Sequence, residues 1–305
     1  MHTIIDQAVS RASQIILGKE RQIRLAFACL LARGHLLIED MPGVGKTTLA
    51  HVLAQILGLG FQRVQFTSDL LPADVLGVSV YDRESAAFKF HPGPIFSQLV
   101  LADEVNRATP KTQSALLEAM EEHQVTVEGE TRPLPEPFFV IATQNPTHQI
   151  GTFPLPESQL DRFLMRIDLG YPDAKSERDL LQGSDRRSLI AQLQPCMDSA
   201  QLAALQTSVR AIHVSAALLD YLQALLAFSR TSPLYDYGLS PRAGLALLHS
   251  AQAWALMEGR DYALPEDLQT VLTSVVGHRL RFAHSETGGD NTSPAQRLLD
   301  AVAIP

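Results

Sequence analysis

Five short runs in the first half of the chain carry the strand signal. His35–Glu39 (HLLIE), Leu99–Asp103 (LVLAD) and Phe138–Ala142 (FFVIA) are nearly unbroken apolar stretches, Phe163–Leu169 is a fourth, and Phe61–Phe66 alternates. Unbroken apolar runs of this length fit strands buried on both faces. Between them, positions 20–32, Thr47–Leu57 and Thr112–His123 read as helices. Gly34 breaks the first, and Gly58 and Gly60 stop the second; in the third, Leu116, Leu117 and Met120 share one face. Strands alternating with helices predict a parallel sheet covered on both sides, so residues 1–180 are expected to form one α/β domain. Residues 172–188, rich in Asp, Lys, Ser, Glu and Arg, read as a connection. From 190 to 283 the pattern is helical throughout, with Leu218, Leu219, Leu222, Leu225 and Leu226 at bundle spacing. Residues 284–294 (HSETGGDNTSP) predict a mobile segment opening a C-terminal tail over 284–305. No internal repeat is present.

Composition narrows the function classes. A hydrophobic share of 46% with 19% charged residues is that of a soluble globular chain, and 305 residues are ample for a sizeable core. The net charge of −8 argues against a dedicated nucleic-acid binder. Cys29 and Cys196 are too far apart in sequence for a metal knuckle, and Cys29 lies in an apolar stretch that reads as core. The N-terminus carries Asp6, Arg11, Lys19 and Arg21, which does not fit a signal peptide. The longest apolar runs, such as Ala26–Ala32, fall far short of the ~20 residues of a spanning helix. These features point to a reducing, cytoplasmic compartment without a membrane segment. The histidines show no ligand spacing, so no structural metal is expected.

Chemistry enters between the first strand and the next helix. Pro42-Gly43-Val44-Gly45-Lys46-Thr47-Thr48 is a glycine-rich turn opening a helix, the place for a phosphate cradle. Lys46 would reach the β- and γ-phosphates of ATP, or the β-phosphate of ADP, and the Thr47 hydroxyl would ligate Mg²⁺. The strict G-x₄-G-K-[ST] pattern puts its first Gly at position 40, which is Asp40 here. The close approach to phosphate falls to Gly43 and Gly45, so this departure costs the pattern little. The apolar run Leu99–Asp103 delivers Asp103 and Glu104 at a strand's C-terminal end, where open α/β sheets bind ligands. Asp103 would hold the Mg²⁺ through water, and Glu104 would orient and polarise the attacking water.

At these residues the sequence resembles the AAA+ ATPases, and within them the MoxR family. The resemblance is carried by Ala102–Glu122 (ADEVNRATPKTQSALLEAMEE), Ala142–Pro146 (ATQNP) and Gly151–Ile167 (GTFPLPESQLDRFLMRI), and covers roughly residues 15–280. It implies a three-layer P-loop sandwich with a C-terminal helical lid over 190–283. It implies that Asn145 is sensor 1, touching the water or the γ-phosphate; an Asn-Pro turn is compatible with that. Arg162 matches the arginine finger offered to a neighbour's nucleotide, with Arg166 as the fallback and a salt bridge as the plain alternative for either. Arg242, in the first turn of a helix begun by Pro241, matches sensor 2, facing the γ-phosphate from the lid. Such an Arg opposes the local dipole and needs an anion. Gly18 matches the turn that holds adenine.

The same resemblance assigns residues 71–96 to the helix-2 insert and 124–137 to the pre-sensor-1 hairpin. The hairpin tip carries Glu128, Glu130 and Arg132 and no lysine, which argues against gripping nucleic acid. His148 stands where an acid is expected in QNP-x-E, and reads either as a pH-responsive contact or as an exposed loop residue. By resemblance the protein is an ATP-hydrolysing motor, a homo-oligomer of hexameric-ring type. It would remodel or mature partner proteins and metal-cofactor complexes, together with a von Willebrand factor A domain protein. A chelatase motor subunit and a nucleic-acid motor are the alternatives.

Overall fold

The computed structural model describes residues 2–145, 151–182, 186–283 and 292–304. Its centre is a parallel sheet built from β1 (Leu36–Glu39), β2 (Phe61–Gln65), β5 (Leu99–Asp103), β8 (Phe139–Gln144) and β9 (Met165–Ile167), in the order β2-β5-β8-β1-β9. Two antiparallel hairpins interrupt it: β3 (Gly77–Asp82) with β4 (Ala87–Pro92), and β6 (Gln124–Val127) with β7 (Glu130–Pro133). Successive strand residues face opposite layers. Leu36, Ile38, Leu99, Leu101, Phe139 and Ile141 enter one core. Leu37, Val100, Ala102, Val140 and Ala142 enter the other. This is the double-sided burial that the apolar runs predict.

One layer holds α1 (His2–Ile15), α2 (Glu20–Leu31) and α3 (Lys46–Ile56). The other holds the short α4 (Pro72–Leu76) and α5 (Pro110–Glu122). After α6 (Glu157–Leu160) and β9 the chain does not run as a plain connection. It forms α7 (Ala174–Gln182) and α8 (Arg186–Ala191). Asp173 explains the first: its Oδ1 accepts from the N–H groups of Lys175 and Ser176, a cap that the charged composition concealed.

Strand ends differ from the sequence reading for local reasons. β9 is shorter than the Phe163–Leu169 run because the Leu164 N–H donates to the His35 carbonyl and the Leu169 N–H to the Asp40 carboxylate. β8 runs past Ala142 through Thr143 and Gln144, polar but buried; the Thr143 hydroxyl meets Asp103 Oδ1 and the Glu104 N–H there.

The helical second half comprises α9 (Ser199–Ala211), α10 (Ala216–Thr231), α11 (Pro241–Met257) and α12 (Pro265–Val276). Its core is continuous with that of α1–α3: Leu225, Leu247 and Val271 belong to the same cluster as Phe27 and Leu53. The chain's end is more than a tail. α13 (Pro294–Ala301) buries Ala295 and Leu298 in that core, and the Tyr235 hydroxyl donates to the Pro294 carbonyl. Most of the segment read as mobile, 284–291, lies outside the described residues. Among the described residues no helix is long and apolar enough to cross a membrane.

Candidate nucleotide site

Parallel pairing puts the C-terminal ends of all five strands on one edge, and Glu39, Gln65, Asp103 and Gln144 lie there together. The loop after β1 is shaped for an anion. Gly43 and Gly45 take φ of 88° and 98°, and nothing lies within 4 Å of where a Cβ would stand on either. The backbone turns through a region side chains avoid, and leaves open space at the N-terminus of α3. Pro42, Val44, Thr47 and Thr48 complete this turn and the helix start. The buried Lys46 ammonium donates to the Asp40 carbonyl at 2.6 Å and to Asn145 Oδ1 at 3.0 Å. Burial pulls its pKa below the ordinary lysine value, while Asp40, Asp103 and Glu104 pull it back up.

The two acids are held differently. Asp103 is buried; its Oδ1 accepts from the Thr143 hydroxyl at 2.6 Å and its Oδ2 from the Thr47 hydroxyl at 3.4 Å. Arg63 reaches the same Oδ2 with Nε at 3.0 Å and Nη2 at 2.7 Å. A hydroxyl and a carboxylate converging in this way are hard oxygen donors, and the set fits Mg²⁺. Glu104 has a left-handed backbone, φ 56° and ψ 47°, which a non-glycine residue adopts only when its surroundings impose it. The restraints are present: its N–H donates to Thr143 Oγ1 at 2.8 Å, and its carboxylate accepts from Asn145 Nδ2 at 3.0 Å and Gln65 Nε2 at 2.9 Å. Arg107 Nε adds an ion pair at 3.1 Å. Lys46, Asn145 and Glu104 thus form one chain of contacts.

Sequence reasoning missed Thr143, Gln65, Arg63 and Arg107. For Thr143 and Gln65 the one signal was position, at the C-terminal ends of β8 and β2; Arg63, in the middle of β2, and Arg107, in the turn after β5, carried none. It also undervalued Asp40, whose Oδ2 accepts from the Leu169 and Gly170 N–H groups at 2.7 and 2.6 Å, tying the phosphate loop to the exit of β9. Gly18 lies between α1 and α2 with φ 69°, and a Cβ there would come within 2.6 Å of Ser176 Oγ and 2.8 Å of Asp173 Oδ2. The adjacent Lys19 ammonium donates to the Tyr171 carbonyl at 2.7 Å.

Arg162 and Arg242 are not brought to this edge. Both line a cavity of about 410 Å³ with Gly34 and His35, which precede β1 and so mark the sheet's opposite edge. Four residues of β1, roughly 13 Å at about 3.3 Å each, separate the two ends. The sequence reading had Arg242 face the γ-phosphate from the lid; within this one chain it meets Glu121 and Arg162's surroundings instead. Arg166 does lie on the phosphate-loop edge, where Nη1 donates to Glu39 Oε2 and Nη2 to the Gly277 carbonyl, each at 2.9 Å. His148 falls outside the described residues.

Two sequence profiles match the chain, the ATPase family associated with various cellular activities (AAA) over residues 35–165 and the AAA lid domain over 227–299. Chaperone MoxR1 of Mycobacterium tuberculosis is 37% identical over all of this chain and 83% of its own length. The chain belongs to the MoxR family of AAA+ ATPases. An uncharacterised relative, YeaC of Bacillus subtilis, is 42% identical over all of this chain and 96% of its own. A crystal structure from Cytophaga hutchinsonii, ascribed to an ATPase, superposes with a TM-score of 0.90 at 35% identity, covering all of this chain and 96% of that one. This chain is a nucleotide-binding ATPase of a chaperone-type family.

Proposed function

We propose that this MoxR-family protein is a ring motor, of hexameric type, whose nucleotide sites are completed between neighbouring subunits. The reading rests above all on the separation of Arg162 and Arg242 from the chain's own Lys46 by the length of β1. Two guanidiniums set at the far edge serve a neighbour's triphosphate. Arg162 is the finger in this reading, because Arg166 lies on the chain's own phosphate side, against Glu39 and Gly277.

The loop from Pro42 to Thr48 binds the phosphates through its amides and Lys46, and Gly18 with the start of α7 borders the base. Thr47 and Asp103 would hold Mg²⁺, which when bound neutralises charge between the β- and γ-phosphates. Glu104 polarises the water. Asn145 holds Glu104 on one side and Lys46 on the other, so that water, base and phosphate charge are aligned before attack. The two hairpins over 77–92 and 124–133 carry the output, remodelling of partner proteins or metal-cofactor complexes, with a von Willebrand factor A domain protein as adaptor. The acidic tip, Glu128 and Glu130, and the net charge of −8 favour a protein client over nucleic acid.

The test is Arg162→Ala. The variant is expected to bind ATP and assemble as wild type does, but to lose on the order of 10³-fold in turnover, the scale of a supplied finger. Wild-type turnover in assembled Arg162→Ala rings would overturn the shared-site reading.

A further inference from the structure

The two arginines share one anchor. Arg162 Nη2 pairs with Glu121 Oε2 at 3.0 Å, and Arg242 Nη2 pairs with the other oxygen, Oε1, of the same carboxylate. They come from different parts of the chain: Arg162 follows α6, and Arg242 lies in the first turn of α11 in the helical half. Glu121 is in the last turn of α5. Arg162 is fixed a second time by α5, donating Nη1 to the Leu117 carbonyl at 2.6 Å. Neighbouring Asp161 receives Arg279 Nε at 2.6 Å and the hydroxyl of Ser240, the residue capping α11, at 3.4 Å.

From this geometry we infer that Glu121 is a positioning residue: its two oxygens set the spacing of Arg162 and Arg242. A guanidinium has five N–H donors, so each arginine keeps donors for an incoming phosphate while held at one corner. The inference rests on the shared-site reading above. It adds a route between the chain's two ends: α5 starts just after Glu104 and the short turn Val105–Arg107, and runs into the β6–β7 hairpin. A shift of the hairpin therefore moves the anchor of both arginines.

Glu121→Gln keeps the side chain's size but leaves one acceptor oxygen for two cations. In assembled rings it is expected to lower kcat on the order of 10- to 10²-fold with KM for ATP and thermal midpoint unchanged, the size of effect a small misplacement produces. In an Arg162→Ala/Arg242→Ala background the same substitution is expected to have no further effect. Mixing Glu121→Gln with Glu104→Gln subunits is expected to restore turnover, because the second supplies intact arginines to the first's intact site. Full turnover in Glu121→Gln while Arg162→Ala is impaired would overturn the positioning role and leave the shared site standing. An equal loss in the double-arginine background, or no restoration on mixing when Arg162→Ala and Glu104→Gln do complement, would also overturn it. Unimpaired Arg162→Ala and Arg242→Ala rings would overturn the shared site itself.

Discussion

Glu104 shows how much of a carboxylate's placement lies in its backbone. Its left-handed φ and ψ aim the carboxylate into the site, and Thr143 holds both that backbone N–H and Asp103 with one hydroxyl. Thr143→Val removes this hydroxyl at nearly constant volume and leaves a buried carboxylate oxygen and an amide short of partners. Denaturant unfolding is expected to show a loss of about 1–3 kcal/mol, and turnover to fall with it. Glu104→Gln keeps the anchors but not the base: ATP is expected to stay bound and uncleaved in equilibrium binding and single-turnover assays. Lys46→Ala is expected to weaken nucleotide binding itself, read in a titration with a fluorescent nucleotide. The lysine and the acids were legible in the sequence because each sits in a short local motif, and Asn145 was named only through the family resemblance. Thr143 and Gln65 were not, because they become neighbours of Glu104 only through strand pairing.

At the scale of elements, connection matters more than propensity. Asp40 looks like a lapse in the glycine pattern, yet it joins the phosphate loop to Leu169 and Gly170 at the exit of β9. Asp40→Gly, which restores the strict pattern, is therefore expected to destabilise the protein by about 1–3 kcal/mol, since two N–H groups lose a charged acceptor. A thermal or denaturant melt checks this. The two hairpins are likewise joined, with the Arg132 guanidinium 4.0 Å over the Phe90 ring. Their exposures contrast. Phe88 and Tyr81 stand 72% and 52% exposed on the first hairpin, and the second turns through Glu128 and Gly129, both at positive φ. The C-terminal helix is an element that low local hydrophobicity hid. Leu298 is fully buried, and Leu298→Ala is expected to cost about 2–5 kcal/mol in a denaturant titration.

Over the whole molecule, the stability has a built-in pH slope. His35 is buried beside the arginine-lined cavity. Its Nδ1 accepts from the Val140 N–H, and its Nε2 faces the Met120 carbonyl. Both partners suit a neutral ring, and burial pushes its pKa down to about 4. His249 is held down to about 4 by burial and by Arg210. The unfolded chain takes up these protons near pH 6.5, so it binds more protons than the folded chain between 6.5 and 4. Stability is expected to be level above pH 7 and to decline as the pH falls below 6.5, by roughly 2 kcal/mol at pH 5 from His35 alone. Urea titrations at pH 7.5, 6 and 5 measure the slope.

By itself the sequence determined the parts that depend on neighbours in the chain. The apolar runs showed which segments pair as buried strands, the glycine-lysine-threonine turn showed where the open loop before α3 lies, and Asp103-Glu104 showed which strand end carries the acids. All three follow from local geometry and period. The tertiary structure alone decided which edge of the sheet each arginine reaches. Arg162 and Arg166 are four residues apart and end on opposite edges, because β9 begins between them and carries only the second toward Glu39. Arg242 reaches Glu121 across 121 positions of sequence, through the packing of the helical half against the sheet domain. No spacing along the chain encodes that meeting; it arises from the continuous apolar core that the two halves share.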